Sequence, residues 1–506
     1  MNWIVSLTPE VAADPLTALA APPAGASVVE LRADLLADLD LRTAIAACPL
    51  PVLVTLRSTA EGGRGPTDPD IRRRVLTTAR DAGAALIDLE HARDRTFADT
   101  LGLPPEQIVL SWHDTVGTPD DLETIVAALH DSPARIVKAI PTAASLADLE
   151  RVLALHRRFN HRRSNNRRLI TFAMGAVGIA SRYLAPLLGP PLSFAAWNEG
   201  AEAAPGQLSV DRLDAAVGHL AGPPQRLYGV VGADVSRSLS PALHNAAYRA
   251  LGLPYLFVPV SVPDPEELIE LFADLGTTLF DRVGLPARGW AVTTPYKEIA
   301  ASAAEIAAPR VLRAEAANTL VLREVGMAAD NTDADGVVAS LLSVGIDARG
   351  RTAVVQGTGG AARGAAVGLH LAGAEVFLRG RDAETTREFA EMLEIGALEP
   401  GAMPDGVEIL VNATPLGSWP DDPTPFTDDE IARAEAVVDM VYADHETGLA
   451  AAAKAAGVPV VDGVDVLAHQ GFAQFAAFTT QLPPKQAMWA AVGRSRSRES
   501  RVESRK

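Results

Sequence analysis

Cysteine is almost absent from this chain, with Cys48 the single example in 506 residues. That excludes an internal disulfide and any multi-cysteine zinc site, and it suits a reducing compartment. Cys48 itself reads as a small buried apolar residue. Basic charge is also in deficit, since 45 Lys and Arg stand against 63 Asp and Glu for a formal net charge of -18. A nucleic-acid binder needs a basic face to release counterions, so small molecules are the expected partners and no nucleic acid is. An anionic substrate stays open, because a few arginines inside a cleft outweigh the field of the whole surface. No run of about 18 apolar residues is long enough to span a bilayer. The segment Met1 to Leu7 lacks the basic flank and apolar stretch of a signal peptide. A cytoplasmic protein with no membrane partner is the expectation.

Lysine is scarce too: only Lys138, Lys297, Lys454, Lys485 and Lys506 are present. In an Arg-rich chain a position that needs only positive charge is served by arginine, whereas a deprotonatable primary amine has to be lysine. Lys138 and Lys297 therefore draw attention before any motif is read. No His, Cys or Asp cluster has ligand spacing, so no metal is expected.

The length and a 48% hydrophobic content suit two domains, each with its own core. Through the first 200 residues, eight short apolar runs recur: Trp3 to Leu7, Val28 to Arg32, Val52 to Arg57, Leu86 to Glu90, Ile108 to His113, Ile136 to Ile140, Leu169 to Met174 and Leu192 to Ala196. Ala- and Leu-rich helical segments separate most of them, which is the pattern of a (βα)8 barrel. Gly222-Pro223-Pro224 marks a linker. A second α/β region starts at Leu227 and breaks near Arg349-Gly350-Arg351, which implies two lobes. The stretch 494–506 is polar and basic without periodicity and is expected to be a disordered tail.

Catalytic groups of such a barrel gather at the C-terminal ends of its strands. Glu30 and Arg32 end the second run, Arg57 the third and His113 the fifth; Lys138 lies in the sixth and Arg182 follows the seventh. Together they supply an amine, an imidazole and several guanidinium groups to one mouth. The series Glu30-Leu31-Arg32, Arg57-Ser58-Thr59-Ala60-Glu61, Ser111-Trp112-His113, Val137-Lys138-Ala139, Ser181-Arg182 and Ala204-Pro205-Gly206-Gln207 resembles type I 3-dehydroquinate dehydratase over residues 1–223. The resemblance implies a TIM barrel in which Lys138 forms a covalent imine with the substrate ketone and His113 moves the proton. Glu61 would orient His113. Arg182, Arg57 and a Glu30/Arg32 pair would fix the carboxylate and hydroxyls, with Ser6 and Gln207 closing the site. The sequence departs from that pattern at Ala203, where serine is usual, and at Gly189-Pro190-Pro191.

Further on, Ser238 and Ser240 sit at alternate positions of a loop opening onto a helix, a spacing that also serves plain helix capping. Val292-Thr293-Thr294-Pro295-Tyr296-Lys297, Ala317-Asn318-Thr319 and Asn331-Thr332-Asp333 follow, each at a strand end or turn. A Lys/Asp pair in a polyol pocket suits moving a hydroxyl proton while hydride leaves carbon. Gly357-Thr358-Gly359-Gly360-Ala361 lies between a strand and an Ala-rich helix, where a pyrophosphate meets a helix N-terminus. The next strand ends in Arg379-Gly380-Arg381 and lacks the acid that binds a free ribose 2′-hydroxyl, which favours NADP over NAD. Asp382 is a possible rival beyond the arginines.

This second series resembles shikimate dehydrogenase over about residues 224–493. The resemblance implies a two-lobed α/β dehydrogenase with a substrate lobe at about 224–335, a Rossmann-like NADP(H) lobe at about 336–470 and C-terminal helices to 493. Ser238 and Ser240 would hold a carboxylate, while Thr293, Asn318, Tyr442 and Gln470 position the ring. Lys297 and Asp333 would handle the proton. Thr414, Met440 and Gly463 would join the glycine loop on the cofactor face. Departures stand at Ala291, Arg237 and Asp444.

The two resemblances support each other, because the lyase product 3-dehydroshikimate is the ketone that an oxidoreductase of the second kind reduces to shikimate. Alternatives are a second domain that prefers quinate or NAD, and a metabolite-sensing regulator like the quinate repressors. Against the regulator, Lys138, His113, Lys297 and Asp333 are all present.

Overall fold

The computed structural model describes residues 2–161, 168–189, 192–273 and 278–493. The expected tail at 494–506 and the Pro190-Pro191 departure lie outside the described residues.

Eight parallel strands build the first domain: β1 (Asn2–Leu7), β2 (Ala26–Arg32), β3 (Val52–Thr55), β4 (Leu86–Glu90), β5 (Ile108–His113), β6 (Ile136–Ile140), β7 (Arg168–Thr171) and β8 (Leu192–Ala196). Each pairs with its sequence neighbour and β1 also pairs with β8, giving the order β7-β6-β5-β4-β3-β2-β1-β8 and a barrel closed everywhere except between β7 and β8. Alternation along the strands divides the side chains between two environments. Ile4, Leu53, Val109, Ile136, Ile170 and Phe194 fill the barrel interior. Val5, Val54, Val137, Leu169 and Ala195 belong to the layer packed beneath the helices. Two residues further along the inward faces come Ser6, Thr55, Ser111, Lys138 and Phe172, so the interior turns polar toward the C-terminal mouth.

The second region has two six-stranded sheets. The first comprises β9 (Arg226–Gly232), β10 (Tyr255–Ser261), β11 (Ala287–Val292), β12 (Ile306–Ala307), β13 (Thr319–Arg323) and β14 (Gly326–Asp330), in the mixed order β10-β9-β11-β13-β14-β12. The second comprises β15 (Thr352–Gln356), β16 (Glu375–Arg379), β17 (Gly396–Leu398), β18 (Ile409–Asn412), β19 (Ala436–Asp439) and β20 (Val460–Val461). It is parallel throughout in the order β17-β16-β15-β18-β19-β20. Numbered from its own first strand that is 3-2-1-4-5-6, the doubly wound arrangement whose strand order reverses between β15 and β18 and opens a crevice there.

Helix Asp333–Ser343 joins the lobes, and the lobe division expected near residue 336 falls inside it. Helix Gly463–Thr479 returns across the first lobe, and helix Lys485–Ala491 packs on helix Ser240–Ala250. The barrel and the second region also meet directly. The Glu267 carboxylate accepts from Leu146 N at the start of barrel helix Leu146–His161, at 3.0 Å to each oxygen. Arg282 makes a two-pronged pair with Glu150 of that helix at 2.6 and 2.7 Å. Among the described residues no helix is long and apolar enough to cross a membrane.

Candidate functional site

The polar end of the barrel interior is a cavity of about 300 Å³. Ser6, Glu30, Arg32, Arg57, Glu61, His113, Lys138, Arg182 and Gln207 all line it, so the nine positions singled out in the first domain converge. Lys138 is held mid-strand on β6, with its ammonium 3.9 Å above the centre of the Phe194 ring. No carboxylate comes within salt-bridge distance of it among the described residues. Burial pushes its pKa down to about 8, with the Arg57 and Arg32 charges assisting and Glu30 and Asp88 opposing. A useful share of neutral amine therefore exists near neutrality.

His113, at the end of β5, places Nδ1 3.0 Å from Glu61 Oε2. Burial and the charges of Arg57, Lys138 and Arg32 hold the imidazole well below its ordinary pKa, so it is neutral at pH 7. Burial, together with Glu90 and Asp88, drives Glu61 up to about 7 against the pull of Arg57. Arg57 is the hub of this cluster. It donates to Glu61 Oε2 at 3.0 Å, to Glu90 Oε1 at 3.2 Å and to both Asp88 oxygens at 2.9 Å.

Arg182 is different. Its guanidinium stacks 4.5 Å over Phe172 and donates to Pro205 O at 3.2 Å, while Nε is buried without a partner. Burial alone lowers it to about 9. A cation this poorly compensated inside a cavity favours an anion beside it.

Glu30 and Arg32, expected together at the substrate, both line the cavity but take different partners. Arg32 forms a fork with Asp34, Nε to Oδ1 at 2.8 Å and Nη2 to Oδ2 at 2.7 Å. Glu30 instead accepts from Ser6 Oγ at 2.6 Å and Thr55 Oγ1 at 2.7 Å. Asp34 lies two residues beyond Arg32, where the chain turns back, and reaches the guanidinium more directly than Glu30 does. Gln207 Nε2 donates to Ser6 Oγ at 3.2 Å, and Ala203 N donates to Gln207 Oε1 at 2.7 Å. Position 203 thus contributes backbone contacts and no hydroxyl.

A second cleft of about 540 Å³ opens between the two lobes of the second region. Ser238, Ser240, Thr293, Lys297, Asn318, Asp333, Tyr442 and Gln470 line it, with Ala361, Thr414, Met440 and Gly463. Lys297 Nζ donates to Asp333 Oδ2, and Asn318 Nδ2 donates to Asp333 Oδ1 at 2.9 Å. Thr332 Oγ1 donates to Gln470 Oε1 at 3.1 Å, tying the joining helix to the returning one. Ser238 Oγ accepts from Ser240 N at 3.2 Å, a local turn contact that leaves the hydroxyl on the cleft wall.

The glycine loop follows β15 at the reversal point. Gly357 takes φ +125°, a conformation that favours glycine. Gly359 is the N-cap of helix Gly360–Leu371 and gives no side-chain cap, so first-turn N–H groups stay available. A Cβ on Gly360 would stand 2.9 Å from Lys297 Cβ, and one on Gly380 would stand 2.8 Å from Thr358 Cγ2. The loop thus lies directly against the Lys297 side chain. These features fit a pyrophosphate cradle.

The two arginines after β16, expected together at the cofactor, are not equivalent. Arg379 is buried, and its guanidinium is engaged by Gln356 Oε1 at 2.6 Å, Glu430 Oε1 at 2.8 Å, Pro425 O at 3.1 Å and Ala402 O at 3.2 Å. Arg381 is exposed and makes no ion pair among the described residues. Asp382 N-caps helix Ala383–Leu393 by accepting from Thr385 N at 2.7 Å, so its carboxylate has a structural occupation.

Sequence reading missed Asp88 and Ser111, which join the Arg57 cluster, and Thr55, which holds Glu30. Their inward strand parity is the signal that finds them.

The family model described as type I 3-dehydroquinase matches residues 4–222, and the one described as shikimate dehydrogenase substrate binding domain matches residues 230–320. A bifunctional 3-dehydroquinate dehydratase/shikimate dehydrogenase, chloroplastic, from Arabidopsis thaliana is 30% identical over 501 residues, covering 93% of this chain and 80% of that protein. A shikimate dehydrogenase (NADP(+)) from Citrifermentans bemidjiense is 36% identical over 281 residues, covering 53% of this chain and 94% of that one. A crystal structure of shikimate 5-dehydrogenase from Thermus thermophilus in complex with NADP(H) and shikimate is 31% identical, covers 53% of this chain and 99% of that one, and superposes with a TM-score of 0.47. Matches to both halves in sequence, and to a relative that joins them, make this chain a member of the bifunctional 3-dehydroquinate dehydratase/shikimate dehydrogenase family.

Proposed function

We propose that the barrel mouth and the interlobe cleft carry out the family's two consecutive reactions with the residues named above. The observation that carries this reading is the placement of lysine. Of the chain's five lysines, the two buried among the described residues are Lys138 and Lys297, one in each cleft.

In the barrel, the neutral Lys138 amine adds to the ketone of 3-dehydroquinate and expels water, leaving a protonated imine. The imine draws electrons from the neighbouring carbon and acidifies its proton. With Glu61 accepting from Nδ1–H, His113 presents an unprotonated Nε2, takes that proton, and returns it to the departing hydroxyl as water forms. Hydrolysis of the imine releases 3-dehydroshikimate and restores the amine. Arg182 holds the substrate carboxylate, the anion its buried and partnerless Nε favours. Arg57 organises the acidic cluster more than it reads substrate, since three carboxylates already occupy it.

In the second cleft, bound NADPH would supply hydride to the ketone carbon. Lys297 delivers a proton to the ketone oxygen, and Asp333 keeps that ammonium aimed. Ser238 and Ser240 face the carboxylate, and Thr293, Asn318, Tyr442 and Gln470 surround the ring. Gly357 to Ala361 would hold the pyrophosphate and Arg381 the 2′-phosphate, while Thr414, Met440 and Gly463 would border the nicotinamide. NADP is preferred to NAD because the strand end offers a free guanidinium and no free carboxylate. An aqueous reducing compartment such as the cytoplasm suits the lone thiol.

Borohydride trapping tests the imine. Treatment with 3-dehydroquinate and borohydride should leave a reduced adduct on Lys138 by peptide mass spectrometry. An adduct on another residue, or none, overturns the assignment.

A further inference from the structure

One cation stands beside the barrel's acid–base pair without entering the cavity. Arg93 lies on the turn just after β4, outside the set of residues that line the mouth. Its Nη1 donates to Glu61 Oε1 at 2.9 Å, the oxygen that neither Arg57 nor His113 uses. Glu90 Oε2 lies 3.5 Å from the same nitrogen.

We propose that Arg93 is a positioning residue of the dehydratase: by holding the outer oxygen of Glu61 it keeps that carboxylate an ionised acceptor and so fixes which His113 nitrogen is free to take the substrate proton. The inference rests on the reading of Glu61 as the orienter of His113.

The charges around Glu61 explain why one arginine is insufficient. Arg57, just beyond β3, faces Glu61, Asp88 and Glu90 together, three carboxylates on one guanidinium. From helix Pro69–Asp81, Arg72 contributes to Glu90 at 3.6 Å, but its Nε is directed to Asp94 at 2.7 Å. His113 on β5 is neutral and Lys138 on β6 is partly neutral, so neither settles the excess. Glu61 is consequently poised near neutrality, pushed up to about 7 chiefly by burial, with Arg93 among the groups that pull it down. A protonated Glu61 would donate to Nδ1 instead of accepting from it. The imidazole would then carry its hydrogen on Nε2, with no lone pair aimed at the substrate. Arg93 biases that choice while touching neither substrate nor imidazole, and its side chain is 23% exposed where its partner is 3%.

The test is the pH profile of dehydratase kcat in the full chain. An opposite charge at this distance moves a carboxyl by about one unit or more, so Arg93→Gln is expected to shift the acid limb upward by roughly that amount. Near pH 7 this is a loss of about fivefold, largely recovered about two units higher, with KM little changed. Arg93→Lys should restore the wild-type limb. A melting curve matching wild type reports that the barrel is folded, and Arg93→Leu replaces the Gln variant should that one fail to fold. A loss equal at every pH, a raised KM with intact kcat, or an unshifted limb overturns the inference. Glu61→Gln separates the two levels: if it behaves as wild type the underlying reading of Glu61 fails, and if it is impaired while Arg93→Gln is not, only the role of Arg93 fails.

Discussion

Arg237 donates to Asp444 at 2.9 Å, joining the serine loop of the first dehydrogenase lobe to the loop that follows β19 in the second. Both side chains are about three-quarters exposed. Both positions depart from the family pattern, and the structure places them against each other at the rim of the interlobe cleft. The pair is a salt-sensitive contact and contributes little to stability. Asp444→Arg sets two guanidinium groups side by side at that rim. It should raise the KM of NADPH-dependent reduction severalfold at low ionic strength, with the effect fading as salt is added and dehydratase kinetics unchanged. A defect that salt leaves intact would mean that the position acts through contact with ligand.

The buried Lys138 amine is held at a cost to stability. Its pKa is near 8 in the folded chain against 10.5 for an ordinary lysine. The folded state therefore disfavours the ammonium fully below about pH 8, and the penalty disappears as pH rises through the unfolded value. At about 1.4 kcal/mol per unit, the penalty at neutral pH is on the order of 3 kcal/mol. Lys138→Met should be inactive as a dehydratase yet more resistant to thermal or urea unfolding at neutral pH, with the gain shrinking toward pH 10. A variant less stable than wild type at neutral pH would show that the Phe194 contact outweighs desolvation.

Lys297→Ala should lower NADPH-dependent reduction by about 10²- to 10⁴-fold, the usual scale of a proton-transfer group, with dehydratase turnover intact. Asp333→Asn should fall in the same direction by less, because Asn318 remains to hold the amide in place. A severalfold loss in the lysine variant would make Lys297 a binding residue only.

Arg381 and Arg379 should separate cleanly. Arg381→Ser is expected to reduce the NADP/NAD ratio of kcat/KM by about tenfold or more, since a hydrogen bond to a charged group is worth about 1.5–3 kcal/mol. Arg379→Ser leaves the half-buried Glu430 with only the Thr427 N–H as donor and should lower thermal stability before it alters cofactor choice. Kinetics with both cofactors, alongside melting curves, decide the matter. An unchanged ratio in the Arg381 variant would remove it from the phosphate site.

That contrast marks how far sequence carries. Repeated apolar runs located the eight barrel strands to within a few residues, because alternation and strand length are local properties. Scarcity of lysine pointed to both clefts, because the need for a deprotonatable amine is written in residue type. Partnership is not local. Arg379 and Arg381 stand two positions apart in one motif, and what distinguishes them is Glu430, brought up from helix Asp428–Arg433. Likewise Arg32 turned to Asp34 and away from Glu30. Arg93 carried no motif at all, and only the geometry of the β4 turn puts it on Glu61.

The most direct test of two separate sites acting in sequence is a complementation assay with 3-dehydroquinate and NADPH. Wild-type protein should consume NADPH and form shikimate in equal amounts. Lys138→Arg alone should do neither, because a guanidinium keeps the charge but forms no imine, while still reducing added 3-dehydroshikimate. Lys297→Ala alone should accumulate 3-dehydroshikimate. An equal mixture of the two variants should restore both NADPH loss and shikimate formation. A mixture as inactive as its components, with each variant folded, would contradict the assignment of the two lysines to consecutive reactions.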